Sequence, residues 1–218
     1  EVIANNLANV NTVGFKRDTT VYKDFPSMFL HRLRDETVWT PMREFDRVPP
    51  IGQVGTGVQV DDIVTDHEIS QSLIQTSNSF DMALEGVPGV SRSYGFFEIM
   101  TTQGPMYTRA GNFQLNSDGY LVTHNGSMVL GENGPIKVHP QNVRFEPDGS
   151  IIVNPQYQGN GANMWEERQI LDRLRIVTFP DAKGLEKVGY TFFKATPESG
   201  DPEKVLFGVS LRTGMLEI

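Results

Sequence analysis

The chain has no cysteine, which removes disulfide staples, thiol nucleophiles and thiolate metal sites together. Only four histidines are present. His31, His67, His124 and His139 share neither close pairs nor the i, i+4 spacing of a helical metal site, so they read as surface residues. No stretch approaches the roughly 20 consecutive apolar residues needed to span a bilayer, and none reads as a cleavable leader. Basic residues are outnumbered, 19 Lys and Arg against 27 Asp and Glu for a net charge of -8. That balance argues against a dedicated binder of nucleic acid or of anionic membranes. At 218 residues the chain can bury roughly 70% of its unfolded surface, enough for one main domain with an appendage.

What the chain does have begins at its first residues. Val2, Ile3, Leu7 and Val10 recur at spacings that place them in a narrow apolar stripe on one side of a short helix. Asn5, Asn6, Asn9 and Asn11 flank that stripe. Asparagine competes for backbone hydrogen bonds and is a middling helix former, so such enrichment calls for amide partners on a neighbouring chain or at the helix end. Gly14, just past the periodic stretch, suits the left-handed residue that closes a helix.

Between 19 and 64 no helical or strand period persists. Pro26, Pro41, Pro49 and Pro50 interrupt it, and the charges of HRLRDE and MREFDR mix with aromatic residues; a mobile or irregular, extended course is expected. From about Ile63 the pattern becomes that of β-structure. FFEIM (96–100), YLVT (120–123), SMVL (127–130), SIIV (150–153) and LRIVTF (174–179) are short runs of β-formers. Asp118-Gly119, Asn125-Gly126 and Asp148-Gly149 separate them and accept the positive φ of tight hairpins. NFQLNSDGYLVT and RFEPDGSIIV share one hairpin pattern of phenylalanine, Asp-Gly turn and apolar strand. WEERQILDRL (165–174) is readable either as a helix or as the approach to the LRIVTF strand.

Candidate chemistry is sparse. Asp118 and Asp148 could be imagined as a facing carboxylate pair, but both precede glycine in hairpin turns, and turn formation accounts for them. GENG and GQVGTG lack the lysine and helix context of a phosphate-binding loop, and neither NSDG nor EPDG completes a calcium loop. Arg109, beside the large side chains Tyr107, Phe113, Leu115 and Tyr120, is expected to lie over an aromatic face or to fork a carboxylate or backbone carbonyls. Trp39, Trp165 and the tyrosines leave one binding alternative open, a β-rich module that stacks cell-wall carbohydrate.

Several collinear motifs carry a family resemblance. ANNLANVNTVGFKR (4–17) closely resembles the N-terminal signature of the bacterial flagellar rod and hook family. QTSNSFDMALEG (75–86) resembles the entry into its first β-domain, with Thr76, Asn78, Asp81, Ala83, Leu84 and Gly86 in the expected places. Gly95-Phe96-Phe97, YTRAGNFQLNSDGYLVT (107–123), LRIVTF, Gly184-Leu185, Gly189 and Gly214-Met215-Leu216-Glu217 continue in order. VPGVSRSY, between Gly86 and Gly95, departs from the pattern as an inserted loop, and a change to a lateral contact is the expectation attached to it. Val129 to Ile136 resembles proximal-rod members, whereas Gly55-Thr56-Gly57-Val58 suits distal-rod members as well; the compact length speaks against a hook protein, and the balance leans to the proximal rod.

The resemblance implies a mainly β, hairpin-rich outer domain at 65–218, an N-terminal core-helix remnant at 1–18, and a long irregular linker and subunit-contact segment at 19–64. The chain reads as a fragment of a protein with longer terminal helices. Its implied role is that of a structural axial subunit of the flagellar basal-body rod, self-assembling with other rod and hook proteins to transmit torque, with no catalysis and no cofactor. The implied partners are its own copies, those proteins and the flagellar export apparatus, with neither nucleic acid nor membrane insertion, and with a monomeric state for the isolated fragment. The implied location is the rod across the periplasm, reached without a cleavable signal. Asn5, Asn6, Leu7, Asn9, Gly14, Phe15 and Lys16 match the signature and lack an obvious local partner, so they are the expected inter-subunit contacts.

Overall fold

The computed structural model describes residues 1–31, 50–67, 72–85, 95–157, 167–205 and 210–218. The charged runs near 31–47, both tryptophans and the 87–94 loop fall largely or wholly outside them. The chain divides into two compact units, one formed by Glu1–Arg17 with Thr65–Ile218 and the other by Asp18–Val64.

In the first unit the central strand is Phe96–Thr101. Its neighbour on one edge is Gly104–Thr108, joined by a tight turn with Thr101 opposite Gly104. Two strands share the other edge: Ile176–Thr178 runs along Phe96 and Phe97, and Met128–Gly131 runs along Ile99 and Met100. Successive side chains of a strand point to opposite faces. Accordingly Phe97 and Ile99 enter one hydrophobic cluster with Met82, Phe113, Leu121 and Ile151, while Phe96 enters another with Tyr107, Val177, Phe179 and Phe193. A core on both faces explains why FFEIM reads as a run of apolar residues and not as an alternation.

The sheet continues outward through the hairpin of Gln114–Leu115 with Leu121–Val122, while Arg144–Phe145 pairs with Ser150–Val153 in a separate three-stranded sheet; both are the hairpins the two similar segments imply. Gly119, Gly126 and Gly149 turn these corners with φ of 82°, 80° and 82°. Of the two readings of 165–174 the strand prevails, since Gln169–Arg173 pairs with Ser150–Val153. Two long-range pairs close the unit: Met82–Leu84 with Leu211–Thr213, and Leu73–Gln75 with Met215–Glu217.

The second unit corrects the expectation of irregular backbone over 19–64. Its described parts are strands: Asp18–Asp24 pairs with Val58–Thr65, and Met28–His31 pairs antiparallel with Pro50–Val54. Val21, Tyr22, Phe29, Ile51, Val58 and Val60 are all exposed. A two-stranded ribbon with both faces exposed has no inside and outside to impose period 2, so its sequence carries no alternation.

The N-terminal helix α1 spans Val2–Ala8 and buries none of its residues. It closes at Asn9 and not at Gly14. The Asn9 backbone N–H reaches the Asn5 and Asn6 carbonyls, and its side-chain amide donates to the Asn5 carbonyl at 2.9 Å and to Asn5 Oδ1 at 3.0 Å. Among the described residues no helix is long and apolar enough to cross a membrane.

Candidate functional site

Immediately after α1 the chain is locked onto the β-rich unit. The lock is built around one carboxylate, Glu217, on the last strand. Lys16 Nζ donates to Glu217 Oε1 at 2.6 Å. Arg109 Nε donates to Oε2 at 3.0 Å, with its second guanidinium nitrogen 2.8 Å from the same oxygen. Lys16, Arg109 and Glu217 are 3%, 2% and 2% exposed. At that burial an unpaired charge is costly, so the three side chains are interdependent. Arg109 completes its valence on backbone, donating to the Gly95 carbonyl and, at 3.3 Å, to the Leu84 carbonyl. It forks a carboxylate and two carbonyls, the structural role expected of it.

The residues around Lys16 are held as closely. Gly14 donates its backbone N–H to the Glu217 carbonyl at 2.9 Å. It sits at φ +68°, and a Cβ there would lie 2.3 Å from the Ala110 nitrogen. Only glycine fits both the left-handed backbone and the close approach. Lys187 Nζ donates to the Lys16 carbonyl at 2.8 Å and lies 4.2 Å from the Phe15 ring centre, a cation over an aromatic face. Arg17 pairs with Asp66 at 2.9 Å, at the surface.

His67 lies beside this cluster. It was expected at the surface but is 4% exposed, because it fills a slot edge-on to Phe193 at 4.9 Å and Phe96 at 5.7 Å between ring centres. Burial, then the positive charges of Lys16, Lys187 and Arg109, hold its imidazole down at about 4. Burial likewise lowers the Lys16 ammonium from its ordinary value; the Glu217 carboxylate opposes that shift and Arg109 adds to it.

The seven residues singled out in the signature therefore fall into two sets. Asn5, Asn6 and Leu7 stand on α1 and Asn9 closes it, with Leu7 71% exposed. Gly14, Phe15 and Lys16 have partners within their own chain, and those that anchor them are not local in sequence. Their partners Glu217, Arg109 and Lys187 lie far away in sequence; Glu217 was marked by the motif Gly214-Met215-Leu216-Glu217, but not as a partner of Lys16. Among the described residues no group of His, Asp and Glu is placed to hold a metal ion. What the cluster does chemically is fasten: ion pairs and a tight backbone contact join the N-terminal motif, the central strands and the last strand.

The chain as a whole is similar to known proteins. Residues 92–153 match the family model of the flagellar hook protein FlgE/F/G D1 domain, and residues 1–16 that of the flagella basal body rod protein. The class is thus that of axial proteins of the bacterial flagellum. The chain is 34% identical over 204 residues to the flagellar basal-body rod protein FlgG of Agrobacterium fabrum, spanning 93% of the chain and 70% of that relative. It is 32% identical over 202 residues to the same-named protein of Bacillus subtilis, spanning 92% and 69%. Similarity to the flagellar hook protein FlgE of Treponema pallidum, 35% identical, is confined to 56% of the chain and 23% of the hook protein. The chain belongs to the flagellar basal-body rod protein family. It is a structural rod subunit, and nothing in the comparisons supports the carbohydrate-binding alternative.

Proposed function

We propose that the chain works by packing alone, assembling with its own copies and with neighbouring rod and hook proteins and carrying torque through those contacts without catalysis. The observation that carries this reading is the contrast at the N-terminus. Ile3, Leu7 and Val10 are 83%, 71% and 60% exposed, yet Gly14 to Lys16, a few residues on, are anchored into the β-rich unit. An apolar stripe exposed to solvent is a surface waiting for a partner. The interface role accordingly rests on Asn5, Asn6, Leu7 and Asn9, while Gly14, Phe15 and Lys16 fix the angle at which α1 is presented. Export without a cleavable leader by the flagellar apparatus, a place in the rod across the periplasm, and a monomeric state at low concentration belong to the same reading.

Sedimentation and electron microscopy test it. At high concentration the parent chain is expected to form polymers and Leu7→Asp to form none, with the thermal unfolding midpoint unchanged. Polymers of normal abundance from Leu7→Asp would refute the role of the helix.

A further inference from the structure

The sequence has three Asn-Gly steps, Asn125-Gly126, Asn133-Gly134 and Asn160-Gly161, of which the last lies outside the described residues. Asparagine is a thermolabile residue, and a following glycine, having no Cβ, leaves the next backbone nitrogen open to attack on the asparagine side chain. Both described steps stand at hairpin corners. Asn125 and Asn133 are alike exposed, and a Cβ at Gly126 or Gly134 would meet nothing within 4 Å. Residue type, exposure and space therefore do not separate the two steps. Hydrogen bonding does.

Asn133 is held by one carboxylate. Its backbone N–H reaches Asp172 Oδ1 and Oδ2 at 3.4 and 3.3 Å, and its side-chain amide donates to Oδ1 at 3.0 Å. Gly134 is itself paired with Gly131 across the hairpin. For Asn133 to close onto the Gly134 nitrogen, its carboxamide must leave Asp172, and the nitrogen must lose a proton near a negative charge that opposes the amide anion. Asn125 has no such hold, because its carboxamide makes no hydrogen bond among the described residues. Its corner rests on Thr123, whose carbonyl accepts from the Gly126 N–H at 2.9 Å and whose hydroxyl accepts from the Ser127 N–H at 3.2 Å. Only that solvent-exposed corner has to flex.

We infer that Asn125 is a site of spontaneous modification to aspartate and isoaspartate, and that Asp172 protects Asn133 from the same reaction. The Gly126 nitrogen gives its proton to hydroxide or a buffer base and bonds to Asn125 Cγ. The Cγ–Nδ2 bond breaks, and Nδ2 takes up a proton and leaves as ammonia. Water then opens the cyclic imide at either carbonyl, one opening giving aspartate and the other isoaspartate. No electrons are transferred, and one carboxylate is gained. Asn125 lines two clefts, of about 360 and 530 Å³, whose lining residues include no Asp, Glu, Lys or Arg. Modification puts a negative charge into both, and isoaspartate also lengthens the main chain at the corner.

The chain is incubated at mildly alkaline pH, native and in urea, and conversion at each asparagine is followed by peptide mass spectrometry. In the native chain Asn125 is expected to convert about ten times faster than Asn133 or more, the factor set by losing charge-assisted hydrogen bonds. In urea the two rates should converge, since only local sequence remains. Asp172→Ala should accelerate Asn133 by a similar factor and leave Asn125 unchanged. Asn125→Gln, whose longer side chain cannot close the same ring, should abolish the change at 125. Equal native rates, or a native Asn125 that stays intact while it converts in urea, would overturn the site. An Asn133 rate unmoved in folded Asp172→Ala would overturn the protection. If that variant does not fold, the native-to-urea ratio at Asn133 in the parent decides the same point, and a ratio near one overturns the protection.

Discussion

Glu217 is where the demands on single residues are highest. Its two oxygens answer two buried cations, and its carbonyl receives Gly14. Glu217→Gln keeps the shape but leaves Lys16 and Arg109 without their counter-charge, and breaking a buried ion pair from one side costs about 3–5 kcal/mol. Urea unfolding should show that loss; a change under about 1 kcal/mol would mean water reaches the cluster. His67 makes a pH-dependent contribution of opposite character. Its folded value of about 4 lies below the ordinary value near 6.5, so the unfolded chain takes up the proton first as the pH falls. Stability is therefore whole above about 6.5 and declines towards 4, by about 3 kcal/mol in all. The stability-pH slope between those limits should flatten in His67→Leu, and imidazole NMR should show a midpoint near 4. A midpoint near 6.5 would contradict the burial.

At the level of elements, hairpins and helix obey different controls. The Asp-Gly and Asn-Gly corners were legible because turn chemistry is local: two residues decide the backbone, and the flanking strands follow. Their tolerance differs with surroundings. A Cβ at Gly126 meets nothing within 4 Å, whereas at Gly119 it comes within 3.1 Å of the Val138 carbonyl oxygen. Both Gly→Ala substitutions should cost more than about 1 kcal/mol for the positive φ, with Gly119→Ala the worse in thermal unfolding. Equal losses would show that backbone conformation alone sets the cost. The ribbon strands at 18–31 and 50–65 were not legible, for the reason given by their exposure. Asn9 closing α1 was hidden too, since the strong Gly14 signal a few residues on drew the helix end towards it.

For the whole molecule, charge and assembly are linked. A chain of net charge -8 and isoelectric point near 5.0 repels its copies at neutral pH. If the contacts that join copies are charge-free, salt screens the repulsion and leaves the attraction, so association should strengthen as ionic strength rises. Analytical ultracentrifugation at low and high salt checks the sign. Weaker association at high salt would point to ion pairs as the contact. The long-range closure of the first unit, in which 73–75 and 82–84 pair with 215–217 and 211–213, makes the unit depend on segments distant in sequence at once.

The sequence by itself determined the class of fold, the hairpin corners, the apolar strands and the family, because each depends on residue type, local spacing or order along the chain. It also pointed to Arg109 as a structural fork without naming what it holds. Only the tertiary structure decided that Lys16, Arg109 and Glu217 share one buried site, that His67 is inside, and that the signature motif divides into an exposed helix and an anchored turn. Lys16 and Glu217 are 201 residues apart in sequence. Burial and ion pairing are properties of space, and no periodicity in a chain records which distant partner will arrive.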